Sequence, residues 1–251
     1  MDCLEGMRLI ADASVDMILC DLPYGTTQNK WDSVIPFDPL WEQYRRVIKS
    51  NGAIVLTASQ PFTSELVTSN REWFKYEWIW VKNQPSGIGI AKYQPMRNHE
   101  HILVFARGRT VYIKQETRSL ITDRKLGRSN GKFHSNSQAN TGIVTKKPSN
   151  PDNILLETVN PRTVLHFPIE PNAKGKLHPT QKPVALFEYL VQTYTNPGDL
   201  VLDNCMGSGT TAIACLNTGR NYIGFENNEV YYETALKRIA THSKSTLGQT
   251  T

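Results

Sequence analysis

The chain has 251 residues, 28 basic against 23 acidic side chains and a formal net charge of +5, which fits one large domain with or without an insertion. Charged residues make up 20% and hydrophobic residues 39%, which excludes a disordered polyelectrolyte. The sequence has no apolar run near the roughly 20 residues of a membrane helix, no signal-peptide pattern at its start and no C-x-x-C pair. We therefore expect a cytoplasmic protein without a zinc knuckle or a disulfide framework.

Short apolar runs alternate with amphipathic stretches along the chain. The apolar runs predict strands over 14–20, 53–57, 77–81, 101–105, 199–203 and 221–226. The amphipathic stretches predict helices over 38–49, 183–194, 210–216 and 229–239. Asp38 is predicted to cap the first helix, Pro39 to occupy its first position, and Asn51-Gly52 to end it. The alternation predicts an α/β fold, with a mostly parallel sheet covered by helices on both faces.

The first predicted strand ends at Asp21-Leu22-Pro23-Tyr24, a turn that carries groups suited to methylating an exocyclic amine. Such an amine is a poor nucleophile because its lone pair is delocalised into the base, and acceptors for its hydrogens free that lone pair. The Asp21 carboxylate and a nearby backbone carbonyl are suited to accept. Pro23 stiffens the turn, and Tyr24 offers a flat face to a flipped-out base. Alone, these four residues are more typical of an ordinary turn.

A strongly basic segment occupies the middle of the chain. Residues 106–150 hold ten basic side chains and two acidic ones, a balance of +8, so the other 206 residues sum to −3. From Arg128 to Gly142 the segment is rich in Gly, Ser and Asn and has little to bury, which is typical of a loop or an insertion. A solvated surface loop and a segment that contacts nucleic-acid phosphates both fit this pattern.

A glycine-rich turn follows the strand predicted over 199–203. Gly207 and Gly209 allow the backbone to turn sharply and approach a ligand, and the next helix presents its N-terminal N–H groups. Glu226, at the end of the following strand, is placed to accept hydrogen bonds from the ribose hydroxyls of an adenosine. The pattern predicts a nucleoside-binding βαβ unit and leaves NAD open as the ligand. It is not a P-loop, because no Gly-Lys-Ser/Thr follows.

Four motifs in one order make the chain similar to the amino-group DNA methyltransferases that use S-adenosylmethionine. The order resembles the beta class, in which the catalytic motif precedes the cofactor motif. Asp21-Leu22-Pro23-Tyr24 resembles the catalytic Asp-Pro-Pro-Tyr, with Leu22 in place of the first proline. Residues 178–183 resemble His-Pro-Thr-x-Lys-Pro, and 203–211 resemble the glycine turn with Asn204-Cys205 in place of Pro-Phe. Residues 222–226 resemble the strand that follows.

The resemblance implies a Rossmann-like methyltransferase fold and a role for each matching residue. It assigns catalysis to Asp21, Pro23 and Tyr24. It places the following residues at the S-adenosylmethionine site: Asp2, Cys3, Thr180, Lys182, Asp203, Cys205, Gly207, Gly209, Thr210, Glu226 and Asn227. Within that set Glu226 would hold the ribose and Asp203 would lie near the methionine moiety. Thr180 and Lys182 would meet the cofactor carboxylate.

The resemblance also divides the chain. It implies a catalytic half over 1–111, a basic target-recognition insertion over 112–166 and a cofactor-binding half over 167–251. The insertion would contact double-stranded DNA. A homodimer is compatible with the resemblance, and either a bacterium or a phage could encode such a protein.

The sequence therefore predicts a site-specific DNA methyltransferase that acts on adenine N6 in duplex DNA after base flipping, without a metal. Asp at position 21 favours adenine over cytosine N4 in the family, and N4-cytosine methylation stays open. So do a catalytically inactive DNA-binding protein, an NAD-dependent oxidoreductase, and an RNA or protein methyltransferase. Cytosine-C5 methylation is excluded, because it needs a cysteine after a proline and none of the four cysteines follows one.

Overall fold

The computed structural model of the chain describes residues 1–26, 32–115, 117–120, 156–169 and 181–247. The chain divides into two compact units, Met1–Ile113 with Arg162–Thr251 and, separately, Lys114–Pro161. Most of the predicted basic segment therefore lies outside the described residues. Thr180 lies outside them as well, so its predicted role at the cofactor has no structural description.

The strands and helices alternate through most of the chain. The strands are β1 (Val15–Cys20), β2 (Ile48–Ala58), β3 (Phe74–Ser86), β4 (Arg97–Phe105), β5 (Thr117–Leu120), β6 (Leu156–Val159), β7 (Val164–His166), β8 (Leu200–Asp203) and β9 (Asn221–Gly224). The helices are α1 (Cys3–Met7), α2 (Phe37–Val47), α3 (Phe62–Ser69), α4 (Val184–Tyr194), α5 (Thr210–Thr218) and α6 (Glu229–Leu247). A short 3₁₀ helix, Ile88–Ile90, lies between β3 and β4.

The larger unit is built on a seven-stranded sheet with the order β7-β3-β4-β2-β1-β8-β9. Strand β4 runs antiparallel to both of its neighbours, and every other pair in the sheet is parallel. Strand β4 is antiparallel because it follows β3 as a hairpin, whereas parallel neighbours need a crossover. The predicted α/β fold with a mostly parallel sheet is confirmed. In the smaller unit, β5 and β6 form an antiparallel pair.

Apolar side chains cover both faces of the large sheet. One layer packs Met7, Trp41 and Phe62 from α1, α2 and α3 against the sheet. The other layer packs Phe187 and Tyr194 of α4, together with residues of α5, against the opposite face. Fully burying one such side chain contributes about 2 kcal/mol or more, so the two layers hold the strand ends in fixed positions. No helix among the described residues is long and apolar enough to cross a membrane.

The start and the end of α2 differ from the prediction. The helix begins at Phe37 after Pro36, whose carbonyl accepts from the Leu40 amide at 3.2 Å. Asp38 therefore lies in the first turn, so the predicted cap at Asp38 and first position for Pro39 are wrong. The helix ends at Val47 and β2 starts at once, so Asn51-Gly52 lies within a strand. Close packing explains the glycine there, since a Cβ on Gly52 would lie 2.8 Å from the Asp16 carbonyl oxygen.

Candidate active site

Asp21 follows β1 directly, at the carboxyl end of the parallel strands. Its two carboxylate oxygens each lie 2.7 Å from the Nζ atom of Lys182, the residue two positions before α4. The Tyr24 hydroxyl lies 2.8 Å from Oδ1, and the Thr57 hydroxyl at the end of β2 also donates to Oδ1. The carboxylate is therefore fixed by three side chains from three segments of the chain.

Lys182 is buried and contacts two carboxylates. Besides Asp21, its Nζ atom lies 3.3 Å from Glu100 Oε2, and Glu100 Oε1 lies 2.5 Å from Lys82 Nζ. Burial opposes the charged ammonium, but Asp21 and Glu100 outweigh it and raise the pKa of Lys182. Burial also opposes the Glu100 carboxylate, but Lys182 and Lys82 outweigh it and lower the pKa of Glu100. Four alternating charges thus lead from Lys82 to Asp21.

Tyr24 is held as a hydrogen-bond donor. Burial, followed by the charge of Asp21, raises the pKa of its phenol, so the hydroxyl keeps its proton at neutral pH. Its ring stacks on Phe62 of α3, with centroids 5.2 Å apart. The Lys182 ammonium lies 5.5 Å from the centre of the same ring. Pro23 is half-buried between Tyr24 and the buried Leu22.

The predicted glycine turn connects β8 to α5. Gly207 and Gly209 have φ angles of 53° and 80°, a region that favours glycine, and Gly209 is the N-terminal cap of α5. The Gly207 amide donates to Glu226 Oε2 at 2.8 Å, and the Asn228 amide donates to Oε1 at 2.8 Å. Both oxygens of Glu226 are thus oriented by backbone groups, beside a helix that begins at a glycine.

Asp203, at the end of β8, is buried beneath that turn. One carboxylate oxygen accepts from the Cys205 amide at 3.0 Å and the other from the Thr211 hydroxyl. Burial raises the pKa of Asp203 to about 6, against the opposing effect of these hydrogen bonds. The carboxyl group therefore fixes the backbone of the turn at Cys205 and the start of α5 at Thr211. Its position near the methionine moiety stays a prediction.

Three cysteine side chains meet beside this turn. The thiols of Cys3 and Cys20 both interact with the thiol of Cys205. The interaction with Cys205 and then burial raise the pKa of Cys3, and burial raises the pKa of Cys20 to about 12. These thiols stay protonated at neutral pH and are poor nucleophiles. They join the start of α1, the end of β1 and the start of the glycine turn.

The remaining predicted cofactor residues lie at the same end of the sheet. Asp2 caps α1 by accepting from the Leu4 amide at 2.9 Å, and the amino group of Met1 donates to the Glu226 carbonyl at 3.1 Å. Asn227 is exposed directly after Glu226. Thr210 is the first residue of α5, and its hydroxyl lies 3.5 Å from the Lys182 carbonyl oxygen. The structure thus brings the described members of the predicted set to one region.

Lys182 differs from the other predicted cofactor residues, because its ammonium group donates to the Asp21 carboxylate. Its predicted contact with a cofactor carboxylate stays a prediction, and its position gives it a role at the catalytic turn. Sequence reasoning did not single out Thr57, Glu100, Lys82 or Phe62. Thr57 had one available signal, since it is a polar residue at the end of an apolar strand.

The donor and acceptor groups around the glycine turn fit an adenosine-containing cofactor. A turn without Cβ atoms at Gly207 and Gly209, the N-terminus of α5 and an oriented carboxylate at Glu226 match a nucleoside with a charged tail. Glu226 also lines a cavity of about 190 Å³ with Met206 and Tyr222. Within the described part of the chain, no group of three or more His, Cys, Asp or Glu side chains is arranged to hold a metal ion.

Comparison with known proteins places these motifs in a wider context. The model of the DNA methylase family matches residues 15–237. A type II methyltransferase of Haemophilus parainfluenzae, M.HpaI, is 29% identical over 95% of this chain and 72% of its own length. The DNA adenine methyltransferase YhdJ of Escherichia coli K12 is 29% identical over 96% of this chain and 82% of its own.

Solved structures agree with these sequence comparisons. The match to the crystal structure of M1.HpyAVI in complex with SAM covers 95% of this chain and 96% of the M1.HpyAVI chain, with a TM-score of 0.59 and 27% sequence identity. The cytosine-N4-specific PvuII DNA methyltransferase has a TM-score of 0.64 and 14% identity over 95% of this chain and 84% of its own. The second likeness shows a shared fold.

Proposed function

The chain belongs to the DNA methylase family, and on that premise we propose that it transfers the methyl group of S-adenosylmethionine to adenine N6 in duplex DNA. The arrangement around Asp21 carries the proposal: a carboxylate at a strand end, fixed by Lys182, Thr57 and Tyr24. Adenine as the target is supported by the aspartate at position 21 and by the similarity to YhdJ, which is named an adenine methyltransferase. Membership of the family disfavours the NAD-dependent oxidoreductase.

Asp21 activates the amine by accepting its hydrogen bond. Oδ1 already accepts from the Tyr24 and Thr57 hydroxyls as well as from Lys182, whereas Oδ2 accepts, among the described residues, from Lys182 alone, so we expect the amine to bind at Oδ2. A backbone carbonyl at Leu22 or Pro23 takes the second hydrogen. With both hydrogens engaged, the nitrogen lone pair is freed from the ring. The nitrogen gains a bond to carbon and releases one proton towards Asp21 or solvent.

When bound, the cofactor supplies a methyl group attached to a positively charged sulfur. The carbon–sulfur bond breaks as the nitrogen–carbon bond forms, and the rest of the cofactor leaves as a neutral thioether. Gly207 and Gly209 would allow close backbone approach to the cofactor, Glu226 would accept from its ribose, and Asp2 would lie near its base. Cys3, Cys205 and Asn227 complete this side of the proposed cofactor site, and Thr210 opens the helix beneath it. No metal takes part in this scheme.

Labelled transfer tests the proposal directly. The protein is incubated with mixed-sequence duplex DNA and methyl-labelled S-adenosylmethionine, and the DNA is digested to nucleosides. We expect label in N6-methyladenosine. Label in N4-methylcytosine would overturn the choice of base. Label in RNA or protein supplied in parallel reactions, without label in DNA, would overturn the substrate. Cofactor binding without any transfer would favour an inactive DNA-binding protein.

Asp21→Ala is the matching variant. Because the carboxylate contacts the reacting amine and not the glycine turn, we expect transfer to fall at least about 1,000-fold while cofactor affinity stays within about threefold. Asp21→Asn retains the shape of the side chain and serves as its control for folding. Both cofactor affinities are measured by calorimetry. Methylation by Asp21→Ala at the wild-type rate would contradict the assigned role.

The remaining predictions concern partners and location. We infer that the basic residues of 106–150 contact DNA phosphates, and their balance of +8 supports this through charge complementarity alone. A bacterial cytoplasm is the compartment that supplies both DNA and the cofactor. The homodimer stays a prediction, for which light scattering of the protein with and without duplex DNA is the test.

A further inference from the structure

An exposed arm extends from the large sheet between β3 and β4. Every residue from 83 to 99 is exposed, and four of these residues are large and apolar. Tyr93 is 87% exposed and Ile88 82%, whereas Ile90 and Met96 are 43% and 36% exposed. Apolar side chains gathered on an exposed surface mark a contact site more often than isolated ones do. We refer to residues 83–99 as the arm.

The arm has a defined backbone. Gly87 has a φ of 92° and starts the 3₁₀ helix, where the Ile90 amide donates to the Gly87 carbonyl at 3.1 Å. The Tyr93 amide donates to the Ile90 carbonyl at 2.9 Å. Near its root, Ser86 pairs with Arg97 across the two strands. Its exposed apolar side chains are therefore held out from the sheet by hydrogen-bonded backbone.

The root of the arm adjoins the catalytic turn. The Arg97 guanidinium donates to the Ser59 hydroxyl at 3.1 Å and to the Gln60 carbonyl at 3.4 Å. Ser59 follows β2 two residues after Thr57, which donates to Asp21. On the same strand as Arg97, Glu100 follows the arm directly and pairs with Lys182. Strand β4 thus joins the root of the arm to the segment that follows Thr57 and to Lys182, the lysine paired with Asp21.

The charge of the arm favours a polyanionic partner. Residues 83–99 contain Lys92 and Arg97 and no acidic residue. Basic and apolar side chains on one exposed hairpin match duplex DNA, which presents phosphates outside and stacked bases within. A base that leaves the stack leaves a gap, and an apolar or aromatic side chain placed in it compensates for the lost stacking.

We propose that the arm inserts Tyr93 and Ile88 into duplex DNA beside the target base and stabilises the gap left when that base enters the site of Asp21. Arg97 and Lys92 hold the flanking phosphates. The inference rests on the proposed function and adds a second DNA contact, outside residues 106–150. The arm assists base flipping and takes no part in the transfer of the methyl group.

The test compares a paired target with an unpaired one, in a duplex containing the site that the wild-type protein methylates. The variant Ile88→Ala/Tyr93→Ala is expected to lose kcat/KM about tenfold or more on the paired duplex. A mismatch at the target base is expected to restore the variant to within about threefold of wild type, because less stacking and pairing is lost. Cofactor affinity stays unchanged, since neither side chain lies at the glycine turn.

Two controls bracket the variant. Tyr93→Phe keeps the flat ring and is expected to retain activity on the paired duplex. Leu9→Ala removes an apolar side chain that is 77% exposed outside the arm, and is expected to have no effect. Unchanged activity of the double variant, or equal loss on paired and mismatched duplexes, would overturn the role of the arm. Failure of the wild-type protein to methylate any DNA would overturn the proposed function and the arm with it.

Discussion

Lys182 ties the catalytic carboxylate to the rest of the larger unit. Its ammonium pairs with Asp21 and Glu100, and removing either negative charge lowers the pKa of Lys182. In Glu100→Gln one of the two carboxylates that raise the pKa of Lys182 is lost, so this pKa falls. We expect the alkaline limb of the kcat–pH profile to move to lower pH, because a neutral lysine no longer fixes Asp21.

The profile is measured from about pH 7 to 11 with saturating DNA and cofactor, and kcat at neutral pH is expected to fall about tenfold with KM little changed. Glu77→Gln is the matched control. Glu77 lies on the adjacent strand β3 and pairs with His101, not with Lys182. A limb that stays in place in Glu100→Gln would show that Glu100 has no positioning role.

Residues whose chemistry depends on local sequence were the easiest to predict. Asp21 ends an apolar run and Glu226 follows another, and the structure places each at the expected end of the sheet. The contact between Lys182 and Asp21 spans 161 positions of sequence, so no local pattern reveals it. Glu100 was missed for the same reason, since its partner becomes visible only when β4 and the segment before α4 come together.

Helix α5 is capped by glycines at both ends, which allows a matched comparison. Gly209 and Gly219 have φ angles of 80° and 70°. Alanine at either position adopts a strained conformation that costs roughly 1–2 kcal/mol of the free energy of unfolding. A Cβ on Gly209 would also lie 3.3 Å from the Ala235 Cβ, whereas one on Gly219 meets no atom within 4 Å.

We therefore expect both Gly209→Ala and Gly219→Ala to be destabilised in urea unfolding. Only Gly209→Ala is expected to lose cofactor affinity, by about tenfold or more, because Gly209 starts the helix at the proposed cofactor site. Calorimetric titration with S-adenosylmethionine measures it. Equal affinities in the two variants would place the cofactor away from this helix.

The elements that sequence predicted best are those with strong apolar patterns. Strands β1, β8 and β9 lie where the apolar runs placed them, within one or two residues. Helix α3 was not predicted because it is eight residues long, and its N-terminal cap, Pro61, makes no side-chain hydrogen bond. Strands β3 and β4 extend beyond their predicted ends into the arm, where the side chains are exposed and no burial pattern marks a strand.

The stability of the whole molecule should depend on the ionisation of Asp203. Its pKa is about 6 in the folded chain against an ordinary value of 3.8, so the folded state holds a proton that the unfolded state releases between these pH values. The free energy of unfolding contributed by this group is therefore highest below about pH 4 and falls as pH rises through 6.

Asp203→Asn removes that dependence. The difference in free energy of unfolding between wild type and variant is expected to shift in favour of the variant by about 2–3 kcal/mol between pH 4 and pH 7. Denaturant unfolding at several pH values measures the difference, and pH effects from other groups cancel because both proteins share them. A difference independent of pH would mean that Asp203 titrates in the fold as it does in the unfolded chain.

The contact of Cys3 and Cys20 with Cys205 makes local opening of this part of the fold measurable by thiol labelling. Each thiol is contributed by a different segment, and all three are protonated. A thiol reagent such as an aromatic disulfide therefore reacts quickly only when these segments separate, so the labelling rate reports the rate of local opening. Ligands that bind across these three segments lower the labelling rate, and their affinity is obtained from how much they lower it.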